Sequence, residues 1–145
     1  MYKGQKSIVL ASASPRRRDL IRHLGIAVEI DPSHVPEDTE SHVPPEAMVA
    51  ELAVRKAAEI VARRPDSIVI GADTTVEIDG VILNKPADLA DAERMLRRLR
   101  GRTHRVNTGV AVLAPAQTTH AEVMTSRVTM RPFPDTELHA YLETG

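Results

Sequence analysis

Residues Ser7 to Ala11 form a short apolar stretch, β-branched at its start, that runs without a break into Ser12-Ala13-Ser14-Pro15-Arg16-Arg17-Arg18. The apolar stretch reads as a buried strand. Ser14 is a good helix N-cap, and Pro15 suits the first helical position because its missing N–H is not needed there. Leu20, Ile21 and Leu24 then fall on one helical stripe, and Gly25 closes it. A buried strand that turns at once into a helix commits the chain to layered α/β packing.

The rest of the chain repeats the alternation. Val28 to Ile30 reads as a short strand, and Asp31 to Pro45 as an ordered surface loop holding four prolines and several acids. Pro45 and Glu46 start a second helix, which runs to about Arg64 and stops at Pro65. Its apolar positions Met48, Val49, Leu52, Ala53, Ala57, Ile60 and Val61 lie on one face. Ser67 to Ala72 is a buried strand ending at Asp73. Val76 to Leu83 reads as a hairpin turned by Asp79-Gly80, a type I′ signal. A third helix spans Leu89 to Arg100 with Ala92, Met95, Leu96 and Leu99 on its apolar face. Val106–Leu113 and Ala121–Met130 are two further strands, and Asp135 caps a last helix carrying Leu138, Tyr141 and Leu142. The expected fold is a single α/β domain with a mixed sheet.

Composition removes several function classes. The chain has 145 residues, enough for one domain with a real core. It has no cysteine, which excludes disulfide scaffolds, thiolate zinc sites and cysteine nucleophiles. Its aromatics are Tyr2, Phe133 and Tyr141, too few for a platform that stacks bases. The net charge of −1 supplies no field toward nucleic acid or anionic lipid. No apolar run approaches a signal-peptide core or a membrane span, so the cytoplasm is the expected location. The six histidines form no zinc motif, and no Gly-x-Ser-x-Gly elbow is present.

Four places are candidates for chemistry. Three arginines at a helix N-terminus oppose the helix dipole, and a bound phosphate would explain them, with Ser12 and Ser14 at the same end. The alternative is a capped helix with solvated arginines. Asp73 follows a buried strand, where α/β sheets place ligands; taken alone, it reads better as a turn aspartate capping toward Thr75. Lys56 shares a helix face with Met48, Leu52 and Ile60, so it either snorkels to water or meets an anion in a cleft. Lys85, between Asn84 and Pro86, reads in isolation as a solvated loop lysine. Glu37, Asp38 and Glu40 could add metal oxygens, although such clusters are more often solvated. The arginines around the third helix read mostly as a solvated face.

Taken together, these segments resemble the Maf family of nucleoside triphosphate pyrophosphatases. The matching stretches are Ser12-Ala13-Ser14-Pro15-Arg16-Arg17, Leu52-Ala53-Val54-Arg55-Lys56-Ala57, Gly71-Ala72-Asp73-Thr74, Gly80-Val81-Ile82-Leu83-Asn84-Lys85-Pro86, Met95 to Gly101 with His104, and Thr108-Gly109-Val110. Each is modest alone; together, in register across nearly the whole chain, they are highly specific. The resemblance implies a Maf/ITPase-like α/β fold, with a mixed twisted sheet and flanking helices. It implies hydrolysis of a nucleoside triphosphate to monophosphate and pyrophosphate with a divalent cation, Mg²⁺ or Mn²⁺. By the same resemblance Asp73 is the general base, and Ser12, Arg16, Arg17, Lys56 and Lys85 bind phosphate. Glu37 joins Asp73 at the metal. Ser-Pro-Arg-Arg with Ala-Asp-Thr looks like the branch acting on dTTP and UTP. A sister branch acting on methylated GTP carries Trp at the position of Arg16 and Gln at that of Thr74, which makes these two look like specificity positions.

The family pattern continues past the position of Gly145 with a Lys-Ala-Gly-Ala-Tyr-x-Ile-Gln stretch and further strands. The expectation is therefore one Maf-like domain over residues 1–145 with an incomplete C-terminal lobe. Weaker stability, self-association up to a homodimer, reduced activity and loose base selectivity are expected with it. The expected partner is a nucleoside triphosphate, with no nucleic acid and no membrane. Two other readings stand beside the enzyme: a nucleotide-binding fragment without turnover, regulatory in cell division, and a nucleic-acid accessory protein using the arginine-rich third helix.

Overall fold

The computed structural model describes residues 6–36, 44–115 and 118–144. Among the described residues six strands form one sheet: β1 (Ile8–Leu10), β2 (Glu29–Ile30), β3 (Ile68–Ile78), β4 (Val81–Leu83), β5 (Thr103–Ala114) and β6 (Thr118–Thr129). The helices are α1 (Pro15–Arg22), α2 (Pro45–Arg63), α3 (Leu89–Leu99) and α4 (Asp135–Glu143). The spatial order is β2-β1-β3-β5-β6, with β4 paired to β3. β1 runs parallel to both β2 and β3, with Val9 beside Glu29 and Val69. β3 and β4 are antiparallel, joined at Ile78 and Val81. The bonds Arg102 to Met130, Thr103 to Thr129 and Asn107 to Thr125 advance in opposite senses, so β5 and β6 are antiparallel as well. The mixed sheet is the expected one. Among the described residues no helix is long and apolar enough to cross a membrane.

The chain divides into two compact units, Met1–Thr74 with Thr108–Met124, and Thr75–Asn107 with Thr125–Gly145. In the first, Val9, Ala11, Ala57, Ile60 and Val69 form a buried cluster against which Val61 and Leu113 pack. The α2 face read from periodicity is the buried one: Met48, Val49, Leu52, Ala53, Ala57 and Ile60 are all buried. Two glycines let this helix lie directly on the sheet. A Cβ on Gly71 would overlap the Ala53 carbonyl oxygen and come within 2.9 Å of Ala57 N. One on Gly109 would overlap Val49 and come within 2.7 Å of Ala50 N.

In the second unit, Asp79 and Gly80 both have positive φ, at 54° and 76°, as the I′ turn requires. Leu138 of α4 is buried, and α4 meets α3 through Asp135 with Arg97 and Arg100, and His139 with Glu93.

Three local expectations change. The strand expected to end at Asp73 continues to Ile78, so Asp73 lies inside β3 rather than in a turn. Thr74 and Thr75 keep β geometry as β-branched residues tend to. α1 ends at Arg22 with His23 as its cap, short of the expected close at Gly25, and the stripe is open to solvent, with Leu20 62% and Leu24 67% exposed. Asp135 is the first residue of α4 rather than its cap, with Pro134 at the cap position; its carboxylate goes to the two arginines instead.

Candidate active site

β1 stops pairing with β3 early. The last backbone bond between them runs from Ala11 N to Ile70 O, at 2.8 Å. Carbonyls alternate along a strand, so Ala72 O points to the same edge as Ile70 O. That next ladder position is filled by a side chain: Arg17 Nη1 donates to Ala72 O at 3.2 Å. The same nitrogen donates to Ser12 Oγ at 3.3 Å, and Nη2 donates to Thr74 Oγ1 at 3.1 Å. The turn between β1 and α1 brings Arg17 there. Ser14 Oγ accepts from Arg17 N at 3.3 Å as the N-cap, as expected, and Ser14 N donates to Ser12 Oγ at 3.2 Å.

Ser12 is buried and accepts two hydrogen bonds. A hydroxyl has two lone pairs and one proton, so what Ser12 offers a phosphate oxygen is its O–H. Three of the five guanidinium donors of Arg17 are engaged by the bonds above, and the fork is held in one orientation. Arg16 is exposed on α1, outside this knot.

On the α2 side, Lys56 Nζ lies 3.0 Å from Asp73 Oδ1. Both residues are buried, Lys56 to 7% exposure and Asp73 to 4%. The glycine contact explains the meeting. Gly71 seats the α2 backbone at Ala53 and Ala57, and Asp73, two residues along the strand, projects from the same face toward the helix. Neither Lys56 nor Asp73 reads in isolation as it behaves here: the lysine does not snorkel, and the aspartate is no turn residue. Dehydrating two charges costs several kcal/mol per ion, so a buried pair is a poor device for stability alone.

Thus Ser12, Arg17, Lys56, Asp73 and Thr74 are all held in the first unit by named contacts. Lys85 is exposed in the second unit, two residues past β4. Glu37 lies outside the described residues. The second unit has a concavity of about 560 Å³ lined by residues that include Glu77, His104, Arg105 and Arg127, and none of the sequence-predicted site residues lines it.

Among the described residues no three of His, Asp and Glu come together as a metal cage. Mg²⁺ and Mn²⁺ do not need one: such ions take one or two protein carboxylates and complete their shell with phosphates and water. Asp73, an oxygen donor without competing thiolate or imidazole, fits that requirement.

The fold is similar to that of the nucleoside-triphosphatase / dITP/XTP pyrophosphatase of Mycobacterium abscessus, with a TM-score of 0.53, 18% identity, and coverage of 88% of this chain and 76% of that one. That places the chain in an α/β fold class that includes a nucleoside-triphosphatase. Residues 7–145 match the family model described as Maf-like protein, and the chain belongs to the Maf family. It is 44% identical over 144 residues to the dTTP/UTP pyrophosphatase of Koribacter versatilis, covering 99% of this chain and 74% of that protein. It is 46% identical over 142 residues to the dTTP/UTP pyrophosphatase of Moorella thermoacetica, covering 95% and 72%.

Proposed function

We propose that this chain hydrolyses the α–β phosphoanhydride of dTTP and UTP, releasing the nucleoside monophosphate and pyrophosphate. The observation that carries the reading is the buried Lys56–Asp73 pair, 3.0 Å apart, in the same compact unit as the Ser12–Arg17 turn. Membership of the Maf family and the names of the two relatives support it.

In this reading Asp73 orients the attacking water and takes its proton as the water oxygen bonds to the α-phosphorus. The bond from that phosphorus to the bridging oxygen breaks, and pyrophosphate leaves with the electron pair. Lys56 fixes the carboxylate through Oδ1 and brings a positive charge to it. Ser12 donates its hydroxyl to a phosphate oxygen. The remaining donors of Arg17 bind the phosphate oxygens, a task also assigned to Arg16 and Lys85. A divalent cation, when bound, would neutralise charge on the phosphate oxygens; Asp73 and Glu37 are the residues assigned to hold it. Arg16 and Thr74 are assigned to base selection.

The test is incubation with dTTP or UTP and Mn²⁺ in ¹⁸O-labelled water, with products resolved by mass. The proposal predicts pyrophosphate without label and monophosphate carrying one labelled oxygen. Nucleotide bound with no product, or label in the pyrophosphate, would overturn it.

A further inference from the structure

Thr108 has no assigned part in the reaction, yet it closes the chain of contacts that starts at Arg17. Strand alternation sorts the side chains. On β3, Val69, Gly71 and Asp73 face α2; on β5, Gly109 and Ala111 do, with Gly109 directly beneath Val49. Thr74 and Thr108 therefore project from the opposite face, where their hydroxyl oxygens lie 3.3 Å apart.

Donor counting fixes the bond from Arg17, and the Thr74–Thr108 contact follows from it in series. Arg17 Nη2 has only hydrogens to give, so Thr74 Oγ1 accepts from it at 3.1 Å. The proton and the second lone pair of Thr74 both remain for Thr108 Oγ1, so either hydroxyl can donate across the 3.3 Å between them. The contacts thus run in series from the guanidinium through the Thr74 hydroxyl to that of Thr108. With the Thr108 hydroxyl in place, Thr74 keeps the rotamer that holds a lone pair toward Arg17. Arg17 in turn stays on Ala72 O and Ser12 Oγ, with two guanidinium donors left over.

We infer that Thr108 is a positioning residue: through the Thr74 hydroxyl it fixes the Arg17 guanidinium in the orientation used to bind a triphosphate. The inference rests on the proposed pyrophosphatase reading. It concerns substrate binding rather than the bond-breaking step, because Thr108 touches Thr74 and not the Lys56–Asp73 pair.

The test compares Thr108→Val, which keeps the shape and the strand preference but lacks the hydroxyl, with Thr108→Ser, which keeps it. Thr108→Val is expected to raise KM for dTTP about tenfold with kcat within about twofold of wild type, as loss of binding common to ground and transition states requires. Thr108→Ser is expected to retain the wild-type KM. Nitrogen-15 spectra read the tether without turnover: the Arg17 side-chain signals, slow in guanidinium rotation in the wild type and in Thr108→Ser, should exchange freely in Thr108→Val against an unchanged backbone spectrum. Unchanged KM in Thr108→Val, equal damage in Thr108→Ser, or Arg17 signals indifferent to the valine would each overturn the inference. A wild-type protein that releases no pyrophosphate would instead overturn the functional reading, and the Arg17 signals alone would then decide the tether.

Discussion

The Arg17 guanidinium occupies the backbone ladder position on β3 that follows the last β1–β3 bond, donating to Ala72 O at 3.2 Å where Ala11 N serves Ile70 O one step earlier. A side chain that substitutes for a strand is a structural part as well as a ligand group. Arg17→Lys keeps the charge but loses the planar fork, so it cannot serve Ser12, Ala72 and Thr74 together. We expect about 1.5 kcal/mol of lost stability in urea unfolding, together with weaker nucleotide binding by calorimetry. Stability and affinity equal to wild type would show that the fork is dispensable.

Gly71 is the contact that sets α2 at its height above β3. Gly71→Ala drives a methyl into the Ala53 carbonyl oxygen and against Ala57 N. Overpacking of this kind costs about 1–3 kcal/mol, and here it also lifts Lys56 away from Asp73. The expected signature is a lower urea midpoint with a disproportionate loss of activity. A variant destabilised but fully active would separate the helix seat from the site.

Lys56→Met removes one half of a buried ion pair and leaves the carboxylate facing an apolar chain. Loss of one partner of such a pair costs about 3–5 kcal/mol. Lys56→Met is expected to unfold at markedly lower denaturant, and adding Asp73→Asn to it should recover part of the loss. Additive destabilisation in the double variant would mean that the two charges do not act as a pair.

Several features of this fold are local and were legible in the chain: the Ser14 cap with Pro15, the Asp79-Gly80 turn, and the α2 face around Ala53 and Ala57. Each depends on residues within a turn or two of one another. The site depends on residues far apart. Lys56 and Asp73 become partners only because Gly71 admits the helix, and Arg17 reaches Ala72 only because β1 stops pairing at the Ala11–Ile70 bond. Neither condition shows in periodicity. Motif resemblance pointed to these residues without supplying their contacts, and it was silent on the contact through which Thr108 meets Thr74. The exposed Leu20 and Leu24 mark the reverse case, in which helical spacing predicted a face that the first unit leaves uncovered.

Acid should loosen the α3–α4 contact. Hydrogen bonds from Arg100 and then Arg97 hold the Asp135 carboxyl below the usual carboxylate range, and Arg102 does the same for Asp79. A carboxyl with a depressed folded value contributes its stability above the unfolded pKa, near about 4, and loses it as pH falls through the folded value. Melting temperature should therefore decline below about pH 4, and Asp135→Asn should flatten part of that decline. Parallel curves for the two proteins would remove Asp135 from the account.

The account's central claim is that Asp73, held by Lys56, activates the water that cleaves the triphosphate. The most direct measurement is the rate of pyrophosphate release from dTTP by wild type and Asp73→Asn at equal, saturating substrate, with folding of both checked by circular dichroism. Loss of a positioned general base predicts a fall of about 10²–10⁴-fold in kcat for the variant, with nucleotide still bound. Release by folded Asp73→Asn at the wild-type rate would contradict the claim.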